Sequence, residues 1–159
     1  MKITVIAVGK IKEKYLKEGI NEYVKRLSRF CNLELLEVSD EQAPDNIGIM
    51  QELQIKKKEG ERILRKVKEG SCLVVLDVKG EKPDSEELSN RLNSFFISGK
   101  SHITFVIGGS LGVDSEVLKA ADLKLSLSNL TYPHQLARLI LLEQLYRSFK
   151  IINGETYHK

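Results

Sequence analysis

Four groups of residues have types and spacing that could do chemistry. The first is Gly108-Gly109-Ser110-Leu111-Gly112, directly after the apolar run Ile103–Ile107. Glycines leave backbone N–H and C=O groups open to close approach by a ligand. A plain tight turn is the other reading of this loop. The second group is Leu127-Ser128-Asn129-Leu130-Thr131-Tyr132, whose hydroxyls and amide follow a short apolar segment. It either binds a small polar molecule or bonds to itself as a turn. The third is His134 with Arg138, one helical turn apart. His134 could move a proton or simply occupy a first helical turn. Arg138 interrupts an apolar helix, so its charge must be paired or functional. The fourth is Arg147, spaced i,i+4 from Glu143, with the terminal Tyr157-His158. The spacing supports a helix salt bridge and gives the terminal pair no role by itself.

The glycine loop does not match the known phosphate cradles. It is neither G-x-x-x-x-G-K-[ST] nor G-x-G-x-x-G, and it follows a late strand instead of the first. It contains no Lys or Arg, which disfavours a polyphosphate. Cys31 and Cys72 stand alone, with no C-x-x-C and no paired His, and read as buried reduced thiols. No cluster of His, Cys and carboxylates has metal-ligand spacing, so no metal is expected.

These groups need elements to position them. Apolar, β-rich runs at Ile3–Val8, Leu33–Val38, Cys72–Val78, His102–Ile107 and Leu123–Leu127 predict five strands. Helical periodicity marks Lys12–Arg29, about Ile47 to Glu69, a segment from Asp84 to Gly99, Asp114–Ala121, and Pro133–Phe149. Asp84 with Glu87 makes a capping box, Asp114 caps the fourth helix, and Asp45 is available to cap the second. Leu76 reads as a strand residue, and Leu76–Gly80 as the point where that strand breaks into a loop. Strand and helix alternate throughout, so the expected class is α/β with a mostly parallel sheet flanked by helices, in one domain over 1–159. Two strand ends then give onto small polar loops, where such sheets bind small molecules. The last helix has almost no polar face, which predicts burial on most sides and a second subunit as one cover.

Composition sets outer bounds. The apolar fraction is 42% and the charged fraction 30%, as in a soluble globular domain. No apolar run reaches a membrane span, and the N-terminus reads as a first strand and not a signal peptide; the expected compartment is the cytoplasm. The net charge of +3 arises before Ser71. Lys56, Lys57, Lys58, Arg62, Arg65 and Lys66 cluster on the second helix, either as a solvated face or as a phosphate-contacting surface.

Three segments taken together resemble a known family. FVIGGSLGV at Phe105–Val113, LSLSNLTYPHQLARLILLEQLYRSFKI from Leu125 to Ile151, and the terminal Tyr157-His158 are similar to the RlmH family. The combination of IGG-x-x-G, PH-x-x-A-R, EQLYR and a terminal YH is specific where each part alone is not, and the resemblance spans the whole chain. The family comprises SPOUT-class methyltransferases acting on N3 of a pseudouridine in large-subunit (23S) ribosomal RNA.

The resemblance implies an α/β-knot with a C-terminal trefoil knot. It implies S-adenosylmethionine bound among the knot loops, contacted by Leu76, Gly108, Leu127, Ser128, Asn129, Leu130, Thr131 and Tyr132. It implies an obligate homodimer, each site completed by the partner's tail, that works on the assembled ribosome. Its candidate catalytic residues are His158 as base or base-positioner and Tyr157 for stacking or hydrogen bonding. Arg147 and Arg138 follow as electrostatic stabilisers or phosphate contacts, and His134 is the next candidate base. The remaining alternatives are a SPOUT enzyme with another RNA target and a ribosome-binding protein that keeps the fold without catalysis.

Overall fold

The computed structural model describes residues 1–157. Five strands, β1 (Lys2–Val8), β2 (Asn32–Val38), β3 (Cys72–Glu81), β4 (His102–Ile107) and β5 (Leu123–Leu125), form one parallel sheet in the order β2-β1-β4-β3-β5. Five helices follow the strands in turn: α1 (Lys14–Leu27), α2 (Ile49–Lys66), α3 (Ser85–Ile97), α4 (Ser115–Ala120) and α5 (His134–Ile152). The mostly parallel α/β sheet expected from the alternation is therefore present.

Side chains alternate across each strand, so one sheet feeds two cores. Ile3, Val5, Ala7, Val74, Ile103 and Phe105 point to one face, where Leu141, Leu142, Leu145 and Phe149 of α5 pack with Leu88 and Leu92 of α3. Ile6, Val8, Leu73, Val75 and Val106 point to the other, against Ile63 of α2 and Val117 of α4. Both faces of the sheet are thus covered, which is why its strands read as continuous apolar runs.

α5 lies between α1 and α3. Its buried Leu141, Leu142, Leu145 and Phe149 each contribute about 1.5–3 kcal/mol of burial. Every residue of α5 is buried or half-buried within its own chain. Its apolarity is therefore met largely inside the chain and does not by itself demand a second subunit. Among the described residues no helix is long and apolar enough to cross a membrane.

The capping box on α3 is present: Asp84 accepts the Glu87 N–H and Glu87 accepts the Asp84 N–H. Asp114 caps α4, accepting the Glu116 N–H at 3.3 Å. Asp45 does not cap α2. The N-cap there is Gly48, three residues on, with no side-chain cap. Asn46, in the left-handed region at φ 61°, turns the chain first. Gly60 proves to be a contact point: a Cβ there would meet the Asp114 Cβ at 2.8 Å.

β3 departs most from expectation. It does not end at Val78 but runs to Glu81, and Leu125 of β5 pairs with both Leu76 and Glu81. Residues 77–80 leave the ladder between those two pairings. The strand then returns so close to β5 that a Cβ on Gly80 would lie 2.7 Å from the Lys124 carbonyl carbon and oxygen. The Ser126 N–H donates to the Glu81 carbonyl at 2.8 Å and fixes the crossing. Gly80→Ala must push two backbones apart. It should cost about 1–3 kcal/mol, read as a lower urea midpoint. An unchanged midpoint would show that this crossing yields freely.

Candidate active site

The carboxyl ends of β3, β4 and β5 converge on an open cleft. It encloses about 700 Å³ of non-protein space, open solvent at its mouth included. Leu76, Asp77 and Val78 form one wall, Gly108, Gly109, Gly112 and Val113 a second, and Leu125 to Ser128 with Leu130 and Tyr132 a third. His134 and Ala137, from the first turns of α5, close the side.

The glycine loop folds back on itself. Gly109 and Gly112 form an antiparallel bridge, and the Gly112 N–H donates to the Gly109 carbonyl at 3.1 Å. Gly112 has φ +93°, which side chains rarely adopt. A Cβ on Gly108 would stand 2.7 Å from Val113 Cγ2 and 3.0 Å from the Gly112 carbonyl oxygen. Behind Gly109 lies Glu59 of α2, 4% exposed, whose Oε2 accepts the Glu41 N–H at 3.0 Å. Burial pushes its carboxyl above the usual range. Glu59 is a buried charge on a helix whose sequence reads as a solvated basic face, so nothing in the local pattern pointed to it.

The loop after β5 is held by its own serines. Ser126 Oγ donates to the Ser128 carbonyl at 2.9 Å, and Ser128 Oγ accepts the Leu130 N–H at 3.0 Å. The self-bonded turn and the ligand-facing loop are therefore the same structure. Of the cofactor contacts that the resemblance implies, Leu76, Gly108, Leu127, Ser128, Leu130 and Tyr132 line the cleft. Asn129 and Thr131 belong to the same loop, are exposed, and do not line it. Gly109 and Gly112 of the glycine loop line it too, whereas Asp77, Val78, Ile107, Val113, Leu125, Ser126 and Ala137 line it without having been candidate site residues. Position at a strand's carboxyl end was the signal available for most of them.

The candidate catalytic residues separate into two clusters. His134 stands at the cleft, near Gly9. Burial, then the adjacent Arg138 charge, push its pKa below the ordinary imidazole value, so the ring is neutral at pH 7. Arg138 is 5% exposed. Nη1 binds Glu37 at 3.0 Å and Nη2 binds the Gly9 carbonyl at 3.1 Å. It is not placed to meet phosphate; it ties α5 to the ends of β1 and β2 within the same chain. Its Nε and the Oε1 of Gln135 are buried without partners among the described residues.

The second cluster lies at the other end of α5. Arg147 Nη2 binds Glu143 Oε1 at 2.6 Å, and the Tyr157 hydroxyl donates to the same oxygen at 3.2 Å. The Arg147 guanidinium sits 4.7 Å from the Tyr157 ring centre, and Tyr157 packs edge-on against Tyr146 at 4.9 Å. Burial, then hydrogen bonding to Tyr23, push the Tyr157 pKa up, so it remains a proton donor. The hydrogen bond to Glu143 keeps Arg147 charged. His158 lies outside the described residues. At 1.5 Å per residue, His134 and Arg147 are about 20 Å apart along the helix. One chain does not bring the two clusters together.

Among the described residues no three His, Cys, Asp or Glu side chains are grouped to hold a metal ion. Both cysteines are free and buried, and burial pushes the Cys31 thiol up to about 11, the behaviour of an inert thiol. His102, which contacts the Thr4 hydroxyl at 2.9 Å, has its pKa lowered, first by burial and then by Lys2. Lowered imidazole pKa values mean that unfolding takes up protons below about pH 6.5. Stability due to His134 and His102 is therefore full above that pH and falls as the medium is acidified through the imidazole range. His134→Gln should flatten the fall between pH 7.5 and 5.5 in urea titrations; an unaltered slope would remove His134 as its source.

Comparison with known proteins agrees with this geometry. A family described as "Predicted SPOUT methyltransferase" matches residues 1–158. The ribosomal RNA large subunit methyltransferase H of Acetivibrio thermocellus is 70% identical over 159 residues, covering all of both chains. That of Ruminiclostridium cellulolyticum is 60% identical, again over all of both. Among solved structures, a probable methylase family protein from Haemophilus influenzae Rd KW20 superposes with TM-score 0.52 at 15% identity, covering 99% of this chain and 70% of that one. A tRNA (m1G37) methyltransferase from Aquifex aeolicus gives 0.51 at 16% identity, covering 92% and 70%. With a full-length family match and full-length relatives at this identity, the chain belongs to the RlmH family of SPOUT methyltransferases.

Proposed function

We propose that the chain transfers a methyl group from S-adenosylmethionine to N3 of a pseudouridine in large-subunit ribosomal RNA, acting as a homodimer on the assembled ribosome. The curated relatives carry the name ribosomal RNA large subunit methyltransferase H, which supports the RNA class. The observation that carries the donor reading is the cleft itself. Its three walls offer apolar side chains, serine hydroxyls and open glycine backbone, with no Lys or Arg among the lining residues. That chemistry suits an adenosyl group and a sulfonium and is poor for phosphates. S-Adenosylmethionine supplies a methyl group already activated for attack. In this reading Leu76, Gly108 and the 127–132 loop hold the donor, in a site that the family builds as a trefoil knot.

The separation of the two clusters on α5 supports the dimer. Arg147 and Tyr157 lie about 20 Å along α5 from their own chain's cleft, and in this reading a second copy presents its tail to it. The imide N–H must be lost as the N–C bond forms. His134, neutral at the cleft, is one acceptor for that proton, and the partner's His158 is the other. Arg147, charged, stabilises the negative oxygen of the imidate, and Tyr157 donates a hydrogen bond or stacks on the base. Arg138 acts by holding α5 and His134 in place.

α2 remains the candidate docking surface, reduced in extent. Arg62 is committed to the Ser39 carbonyl and Glu41, and Lys56 stands 3.9 Å from Glu52. Lys57, Lys58, Arg65 and Lys66 stay exposed. Reversing these four charges should weaken ribosome binding and flatten its salt dependence; unchanged binding would remove the patch from the reading.

The test of function is labelling with donor carrying a radioactive methyl group, given to ribosomes and to free ribosomal RNA. Label should enter large-subunit RNA in ribosomes at a pseudouridine; label elsewhere, or none, would overturn the assignment. The composite site is tested by mixing two inactive variants, Gly108→Asp and Arg147→Ala. Random exchange into dimers should restore about a quarter of wild-type activity, because half of the mixed dimers' sites are intact. No recovery would place the whole site in one chain.

A further inference from the structure

We propose that Asp77 makes the cleft distinguish methyl donor from demethylated product by charge. The inference rests on the methyl-donor reading above and deepens it. Among the described residues that line the cleft, Asp77 and His134 are the ionisable groups that matter near neutral pH, and the imidazole is neutral there. The rest of the wall is Leu, Ile, Val, Ala and Gly with uncharged Ser126, Ser128 and Tyr132. One carboxylate therefore sets the sign of the field in a largely apolar site.

The fold puts that carboxylate there, and among the described residues no ion pair neutralises it. Residues 77–80 leave the β3 ladder between the two pairings that Leu125 makes, which carries Asp77 to the cleft wall. Its Oδ1 accepts the Lys79 N–H at 3.3 Å, a local turn contact that does not neutralise the charge. Arg91 of α3 is committed to Glu81. No ion pair to Asp77 is formed among the described residues, although one exposed lysine, Lys79, adjoins it in sequence.

Methyl transfer changes the charge of the bound ligand. The S–CH₃ bond breaks with its electron pair staying on sulfur, the N–CH₃ bond forms, and the imide proton leaves to the base. A sulfonium cation thus becomes a neutral thioether. A fixed negative charge in a site of reduced dielectric stabilises the first and not the second. Donor is held, product is released, and the spent cofactor competes poorly with fresh donor. The opposite arrangement, a carboxylate that accepts hydrogen bonds from the ribose, would hold both ligands equally, since both carry the same ribose.

The experiment is calorimetric titration of the full chain with S-adenosylmethionine, S-adenosylhomocysteine and sinefungin, which carries an ammonium near the position of the sulfonium. Asp77→Asn should reduce the preference for donor over product by about 3–10-fold, with sinefungin following the donor. Asp77→Glu should keep the preference. Asp77→Ser is a second neutral variant should Asn disturb the turn, and thermal unfolding checks both. Equal weakening of all three ligands in the neutral variants would assign Asp77 to the ribose and overturn the proposal, as would an unaltered preference. Failure of the wild-type chain to bind any of the three would overturn the methyl-donor reading itself, and this inference with it.

Discussion

The double pairing of Leu125 is the constraint on which the site depends. A strand that met β5 once and turned away would leave the cleft with two walls. Because β3 pairs with Leu125 at Leu76 and again at Glu81, the residues between must leave the ladder, and they become the third wall. The return is possible only where backbone can touch backbone, at Gly80 against Lys124. The Ser126 N–H to Glu81 bond then starts the loop whose serines shape the opposite wall. One crossing therefore fixes two of the three walls, and the glycine loop supplies the other by folding on itself at Gly109 and Gly112.

α5 transmits that geometry along the molecule. Its first turn borders the cleft, and its C-terminal half carries Arg147, against which the tail docks. Arg138 anchors the first turn to the ends of β1 and β2. At the far end Glu155, bound by Arg29 and Lys150, folds the tail back, so that Tyr157 reaches Glu143. The helix is thus pinned at both ends by charges and along its length by the apolar core shared with α1 and α3.

What the sequence made legible was what local chemistry decides. Continuous apolar runs become central parallel strands because both faces are covered. Asp84 with Glu87 closes a box using only residues three apart. The i,i+4 pair of Glu143 and Arg147 forms as spaced. What stayed illegible depends on residues distant in the chain. Lys79-Gly80 looks like a strand end, since a glycine after a charged residue marks a turn; only β5, some forty residues on, makes it a crossing. Gly60 looks like a weak point in a helix until Asp114 is packed on it. Arg62 counts as surface charge until Ser39 and Glu41 claim it. Asp77 reads as part of a strand end about to break into a loop, and its place in the cleft follows from the same crossing.

The sheet order explains why these features gather at one edge. α3, which follows β3, packs on the face shared with α5, whereas α4, which follows β4, packs on the opposite face with α2. β3 and β4 are neighbours, so their outgoing chains diverge to opposite sides and open a crevice at their carboxyl ends. β5, added beyond β3, sends its chain over that crevice into α5 and leaves the first turn of α5 at its side. A charged ligand could be anchored here only by side chains that the crevice itself displays. β4 contributes glycines and β5 serines, neither of them charged. Of the three strands, only β3, through the residues forced out by its double pairing, brings a carboxyl group to the wall. The topology that creates the space and the irregularity that charges it are therefore one structural fact.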